Sequence, residues 1–302
     1  MPALQAWSSA RWVPDLPPGH RFPIEKYALV RDAVVERGLL PRSALHEPEP
    51  MERWLLPLVH TPRWIAAMLE GDMTAMEQRR LGFPWSPMLR ERSLRTAQGT
   101  LEAARHALGH GAGANLAGGT HHAFADRGEG FCVFNDVAVA IRLLEREGRL
   151  RRTAVIDLDV HQGNGTARIF EDEPDVFTFS MHGARNFPFR KERSRLDVEL
   201  EDGTGDATYL ALLDRHIGAV LDAARPELVC YLAGADPYAG DRFGRLGMSI
   251  EGLRERDRRV FAACRARGVP VVLTLAGGYA RNIEDIVTIH ANTVRELLAS
   301  HG

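Results

Sequence analysis

Five short apolar runs, each stopping at a cluster of glycine and polar residues, constrain this chain more than any other feature of its sequence. Residues 114–117 lead into GGTHHA, 154–158 into DVHQGNG, 176–180 into MHG, 228–232 into AGADPYAGD and 269–275 into AGGYA. Runs of this length without alternation suit strands buried on both faces, the environment of a parallel sheet. A sixth run, 55–59, reads the same way. Helix starts fall between the runs: Thr61-Pro62 and Ser86-Pro87 each place a cap before a first-turn proline, and Asp206 and Ser249 are expected to cap two more helices. The expected fold class is therefore α/β, a single-domain open, mainly parallel sheet with helices on both faces, spanning residues 1–302. Ligands of such sheets bind beyond the carboxyl ends of the strands, so the five clusters should converge on one site.

The cluster Asp157-Leu158-Asp159-Val160-His161 is the richest in chemistry. If extended geometry continues past Leu158, Asp157, Asp159 and His161 project to one side, because side chains alternate along a strand. Two carboxylates and an imidazole on one buried face are costly without a cation, and zinc takes Asp and His ligands at about 2.0–2.2 Å. Aspartates capping the next helix beside a core histidine satisfy the same pentad. Asp236, ending another run, adds a second carboxylate ligand, and two Asp with one His leave a coordination position open, as in catalytic centres where water becomes a nucleophile near neutral pH. His121 and His122 follow two glycines; adjacent imidazoles suit proton transfer from water to a leaving amine, although loop histidines packed on Phe124 would look the same. Tyr279, after Gly277-Gly278, offers a phenol to a developing oxyanion.

Composition removes several function classes. At 302 residues and 45% hydrophobic the chain can bury a large core. With 38 basic against 40 acidic residues it has no charge excess to recommend a nucleic acid or an anionic membrane as partner. Only Lys26 and Lys191 are lysines; the other basic residues are arginines, which reads as genome composition. The arginine-rich segment 185–195 is expected to be a solvated loop. Cys132, Cys230 and Cys264 are too few for a disulfide framework, and no apolar stretch reaches the roughly 18 residues of a membrane span, so a cytoplasmic setting is expected.

GGTHHAFADRGEGFCVFNDVAVA, DLDVHQGNGT, GADPYAGDRFG and AGGY, in this order, resemble the histone deacetylase superfamily, zinc-dependent acyl-lysine amidohydrolases of the arginase–deacetylase fold. The likeness extends to GHRFPIEKYALV and LVHTPRWIAAML. It implies Asp159, His161 and Asp236 as zinc ligands, His122 as general base and acid, His121 as its electrostatic neighbour with Asp157 behind it, and Tyr279 as the group that polarises the acyl carbonyl with zinc. It implies a tunnel lined by Gly130, Phe131 and Phe187, and a structural potassium ion at Asp157, Asp159, His161, Ser180 and Met181. Arg21 resembles the arginine of an internal exit channel. The substrate so implied is an acylated lysine or related amine, acetyl or longer, with acetylpolyamines and other small amides as the alternative, and a catalytically silent acyl-lysine binding protein as the rival from another class. A two-manganese ureohydrolase of the same fold would need more carboxylate ligands.

Two departures matter. Gln162 and Asn164 stand where many members carry His and Asp, the pattern of the class IV branch; an Asn orients His122 without stabilising its protonated form, so a lower imidazole pKa is expected. The segment 76–88 offers Phe83, Pro84 and Trp85 to the rim, with no obvious counterpart to the acidic residue that grips the substrate backbone in many members. With a near-neutral overall balance, such a protein is poorly suited to basic tails. The sequence leaves monomer and dimer equally open.

Overall fold

The computed structural model describes residues 4–301, so residues 1–3 and 302 of the expected domain lie outside the described residues. In chain order the elements are β1 (Ala6–Trp7), α1 (Lys26–Glu36), β2 (Leu45–His46), α2 (Pro62–Glu70), α3 (Ala75–Leu81), α4 (Pro87–His110), β3 (Ala112–Asn115), α5 (Asp136–Arg146), β4 (Thr153–Asp157), α6 (Asn164–Ile169), β5 (Val176–Gly183), β6 (Leu196–Leu200), α7 (Asp206–Ala224), β7 (Leu228–Leu232), α8 (Ile250–Arg265), β8 (Val271–Thr274) and α9 (Ile283–His301). The strands form one eight-stranded sheet, ordered β2-β1-β3-β8-β7-β4-β5-β6, with every pairing parallel.

Both faces of the sheet are covered, which explains the unbroken apolar runs. Ala154 and Ile156 of β4 and Val229 and Tyr231 of β7 enter one core with Val30, Leu213, Val260 and Val294 of α1, α7, α8 and α9. Their neighbours Val155, Leu228 and Cys230 enter a second core with Trp64, Leu101 and Ile141 of α2, α4 and α5. Successive residues of a strand thus serve opposite layers.

Three of the four expected caps form: Thr61, Ser86 and Ser249 accept hydrogen bonds from the backbones of Trp64, Leu89 and Gly252. Asp206 does something different. Gly205 takes the cap position, and the Asp206 carboxylate accepts from Ser249 N at 2.8 Å and Ser249 Oγ at 2.6 Å, pinning the start of α7 to that of α8. Residues 55–59 are not a strand: 55–58 belong to a 3₁₀ turn, Arg53–Leu58, which Val59 caps, with Pro57 inside it; proline has no N–H to give a ladder. Among the described residues no helix is long and apolar enough to cross a membrane.

The site follows from strand order. The chain passes from β3 to β4, yet β8 and β7 lie between them, and in this central group Asn115 pairs with Thr274, Thr274 with Leu232 and Leu232 with Asp157. Four strands therefore end level at the switch point, where an open α/β sheet leaves its crevice.

Candidate active site

The loops leaving β3, β4, β7 and β8 bring the expected side chains together. Ligand atoms of Asp159, His161 and Asp236, all buried, lie within 4.8 Å of one another. Backbone amides fix the carboxylates: Gly277 N donates to Asp159 Oδ2 at 2.8 Å, His161 N to Asp159 Oδ1 at 2.9 Å, and Val160 N to Asp236 Oδ1 at 2.9 Å. Asp236 Oδ2 is buried, lies 3.3 Å from His161 Nδ1 and accepts no hydrogen bond. Burial, then the Asp159 charge, push the Asp236 carboxyl up to about 7. Two such carboxylates need a proton or a cation between them, and an orphaned oxygen aimed at a second carboxylate and an imidazole fits a divalent metal of the zinc type, which takes N and O donors.

Gly277 makes this approach possible. A Cβ there would sit 2.0 Å from Asp236 Oδ2 and 2.5 Å from Asp159 Oδ2. Behind the metal-ligand group the fully buried Arg256 donates to Gly234 O at 2.7 Å and Leu158 O at 3.2 Å and pairs with Asp257, so one guanidinium clamps the exits of β4 and β7.

The two histidines lie side by side, ring centroids 4.1 Å apart, but have unlike partners. His121 Nδ1 lies 2.6 Å from Asp157 Oδ2. Burial acts against its charge, yet Asp157 and then Asp159 outweigh burial and raise it to about 9. His122 Nδ1 lies 2.7 Å from Asn164 Oδ1. Burial, then the charges of His121 and His161, lower it well below the ordinary range. The surroundings thus favour the charged form of one imidazole and the neutral form of the other. Because Asn164 offers an acceptor, His122 Nδ1 carries the hydrogen and Nε2 keeps its lone pair.

His122, His161 and Tyr279 form the floor of a cavity of about 510 Å³, and Gly130, Phe131, Phe187 and Phe243 line its walls. Phe187 meets His122 edge-on at 4.9 Å. Gly130, at φ +54°, brings the wall so close that a Cβ would lie 2.7 Å from His122 Cδ2. Tyr279 is buried, and its backbone N–H donates to Asp241 Oδ2 at 2.6 Å.

A histone deacetylase domain model matches residues 20–294, nearly the whole chain. The chain belongs to the histone deacetylase family. It is a hydrolase of that family, and its fold is the family's. Histone deacetylase 2 of Arabidopsis thaliana is 31% identical over 89% of this chain and 72% of that one. An uncharacterized protein of Picosynechococcus sp. is 45% identical over 93% of each chain. The crystal structure of an HDAC homologue complexed with SAHA superposes with a TM-score of 0.84 at 23% identity, over 98% of this chain and 84% of that one.

Within this histone deacetylase-family fold several expectations need correction. Arg21 does not point inward; it is exposed at the pocket mouth, its guanidinium 5.8 Å above the Phe243 ring. Lys26 takes the buried position instead, its ammonium donating to Gly278 O at 3.2 Å and Ala276 O at 3.4 Å beneath the Tyr279 ring. The other lysine, Lys191, donates to Asn186 O at 2.6 Å and Pro188 O at 2.7 Å, on either side of Phe187. Both lysines hold site loops through backbone carbonyls, so composition alone does not account for them.

Phe83 and Trp85 also turn inward. Phe83 is buried against Phe22 and Phe131, and Trp85 Nε1 donates to Met68 O at 2.8 Å. The Thr74–Glu77 capping box starts α3 so that its last turn sends Arg79 and Arg80 to the mouth. The segment 185–195 is not simply a solvated loop, since Arg185, Asn186, Phe187 and Phe189 line the pocket.

Proposed function

We propose that this chain is a zinc-dependent amidohydrolase that removes acyl groups, acetyl or longer fatty acyl, from lysine side chains or related amines, with residues 1–302 acting as one catalytic domain. The observation that carries this reading is the buried Asp159–His161–Asp236 group, with its orphaned carboxylate oxygen, lying beside a histidine pair with unlike partners, Asp157 for His121 and Asn164 for His122.

Zinc held by these three side chains would supply Lewis acidity to the acyl oxygen and to the attacking water. His122 Nε2 takes the proton as the water oxygen bonds to the amide carbon, and Asn164 keeps its ring in the required tautomer. His121, backed by Asp157, places a positive charge beside the developing negative one. The Tyr279 hydroxyl donates to the acyl oxygen. Collapse breaks the carbon–nitrogen bond, and a protonated histidine returns the proton to the departing amine, leaving a free carboxylate and a free amine. Gly130, Phe131 and Phe187 hold the apolar stem.

A potassium ion is proposed at Asp157, Asp159, His161, Ser180 and Met181. Asp157 is paired in register with Ser180, and Gly183 N donates to Val160 O at 2.9 Å, so the two segments run side by side through this stretch. Cys132, Cys230 and Cys264 are all free and buried, which suits a reducing, cytoplasmic setting.

The test is metal content together with hydrolysis of acetyl-, octanoyl- and myristoyl-lysine peptides and of an acetylpolyamine. One zinc per chain, with hydrolysis lost to a chelator and restored by zinc, supports the reading. Zinc without hydrolysis would make the chain an acyl-lysine binding protein, and two manganese ions with urea release would make it a ureohydrolase.

A further inference from the structure

We propose that the amine side of the substrate is an acidic polypeptide segment: an acyl-lysine flanked by aspartate or glutamate and gripped by arginines at the pocket mouth. The inference rests on the deacylase reading and adds the partner's chemistry. Arg21, Arg79, Arg80, Arg185, Arg242 and Arg245 line the mouth, and none of the residues lining the pocket is an aspartate or glutamate. All six are exposed, in a chain whose net charge is −2, so the positive charge is concentrated here by arrangement and not by composition.

Internal partners do not consume this charge. Asp202 is the one carboxylate paired with the group among the described residues, 3.3 Å from Arg245 and 3.9 Å from Arg185. Arg242 donates to Tyr279 O and Arg21 O, carbonyls that orient a guanidinium without neutralising it. Arg79 and Arg80 sit in the last turn of α3, where the helix dipole favours cations, but that accounts for only two of the six. The ring is built from four separate stretches of chain. A single small anion meets one or two guanidiniums, whereas charges spread around an opening match a chain that crosses it and carries acids on both sides of the inserted lysine. A cleft lined by one sign of charge also raises the local concentration of ligands of the other sign. A basic tail would meet repulsion from all six arginines.

Three acyl-lysine peptides with one acyl group and acidic, neutral or basic flanks test this, assayed with the intact zinc-loaded protein. The acidic peptide is expected to exceed the basic one in kcat/KM by about tenfold or more at roughly 0.01 M salt, chiefly through KM, and the gap should close near 1 M salt, where the Debye length falls to about 3 Å. R79E/R80E, both exposed and with folding checked by circular dichroism, should narrow or invert the ratio. Equal or better turnover of the basic peptide, or an unchanged ratio in the variant, overturns the proposal. So does a small acylamine bearing one carboxylate or phosphate that matches the acidic peptide. If no peptide is cleaved the deacylase reading fails, and fluorescence anisotropy of the same three peptides still ranks them and decides the role of the mouth.

Discussion

Asp157, Asp159 and His161, a buried group that reaches the floor of the pocket through His161, come from five consecutive residues and are each held by hydrogen bonds to neighbours. At its mouth the six arginines come from four distant segments and are exposed. The difference has a physical origin. A buried charge must be paired or coordinated, so the floor tolerates almost no freedom of position. An exposed guanidinium is solvated wherever it stands and contributes little by itself, so only the sum of several matters. Floor substitutions should accordingly lower turnover of every substrate alike, and mouth substitutions should reorder substrates.

The largest effect tests whether the floor is a metal site at all. Asp236→Ala removes the orphaned oxygen and one of three ligands; bound zinc measured by elemental analysis should be lost, and hydrolysis of acidic, neutral and basic peptides should fall together to background. Retention of one zinc per chain in that variant would break the assignment. Tyr279→Phe should keep the metal and cost on the order of 10²–10³ in kcat. A near-normal rate removes Tyr279 from the chemistry, and a change in peptide ranking would show that floor and mouth are not separable. Gly277→Ala tests positioning, since its Cβ would fall 2.0 Å from Asp236 Oδ2. Displacing held ligands in this way should weaken zinc about 10- to 100-fold in a competition titration with a chelator, with hydrolysis recovering at high zinc.

The same contrast explains what could be read in the sequence. β7 spans the run expected for it, 228–232, because a strand buried on both faces must be apolar throughout. The pentad at 157–161 was legible because electrostatics acts between near neighbours; strand alternation does not carry it, since β4 ends at Asp157 and residues 159–161 bend. β1 and β2, two residues each, carry no period, and β6, at the sheet edge, is only half-buried. Lys26 and Arg256 were missed because their partners are backbone carbonyls, which every residue has. The signal was present for Lys26: a chain that otherwise uses arginine keeps its two lysines where a compact ammonium meets two carbonyls. The arginine ring had no comparable signal, since its members become neighbours only when four loops fold onto one opening.

Asn164→Asp gives the smallest expected change and the finest test of the floor. In the wild-type chain burial and two neighbouring imidazoles hold His122 below its ordinary range, and Asn164 orients the ring through a neutral oxygen 2.7 Å from Nδ1. A carboxylate at that position would favour the protonated form and raise the His122 pKa. Since the free base accepts the first proton, kcat/KM falls on the acid side as His122 becomes protonated, and the acid limb should move to higher pH by about 1 unit. Acidic and basic peptides should show the same displacement, because the change acts on the base and not on the mouth. An unmoved acid limb would remove His122 as the titrating base, and unequal displacement for the two peptides would mean that the charge at residue 164 is felt at the mouth.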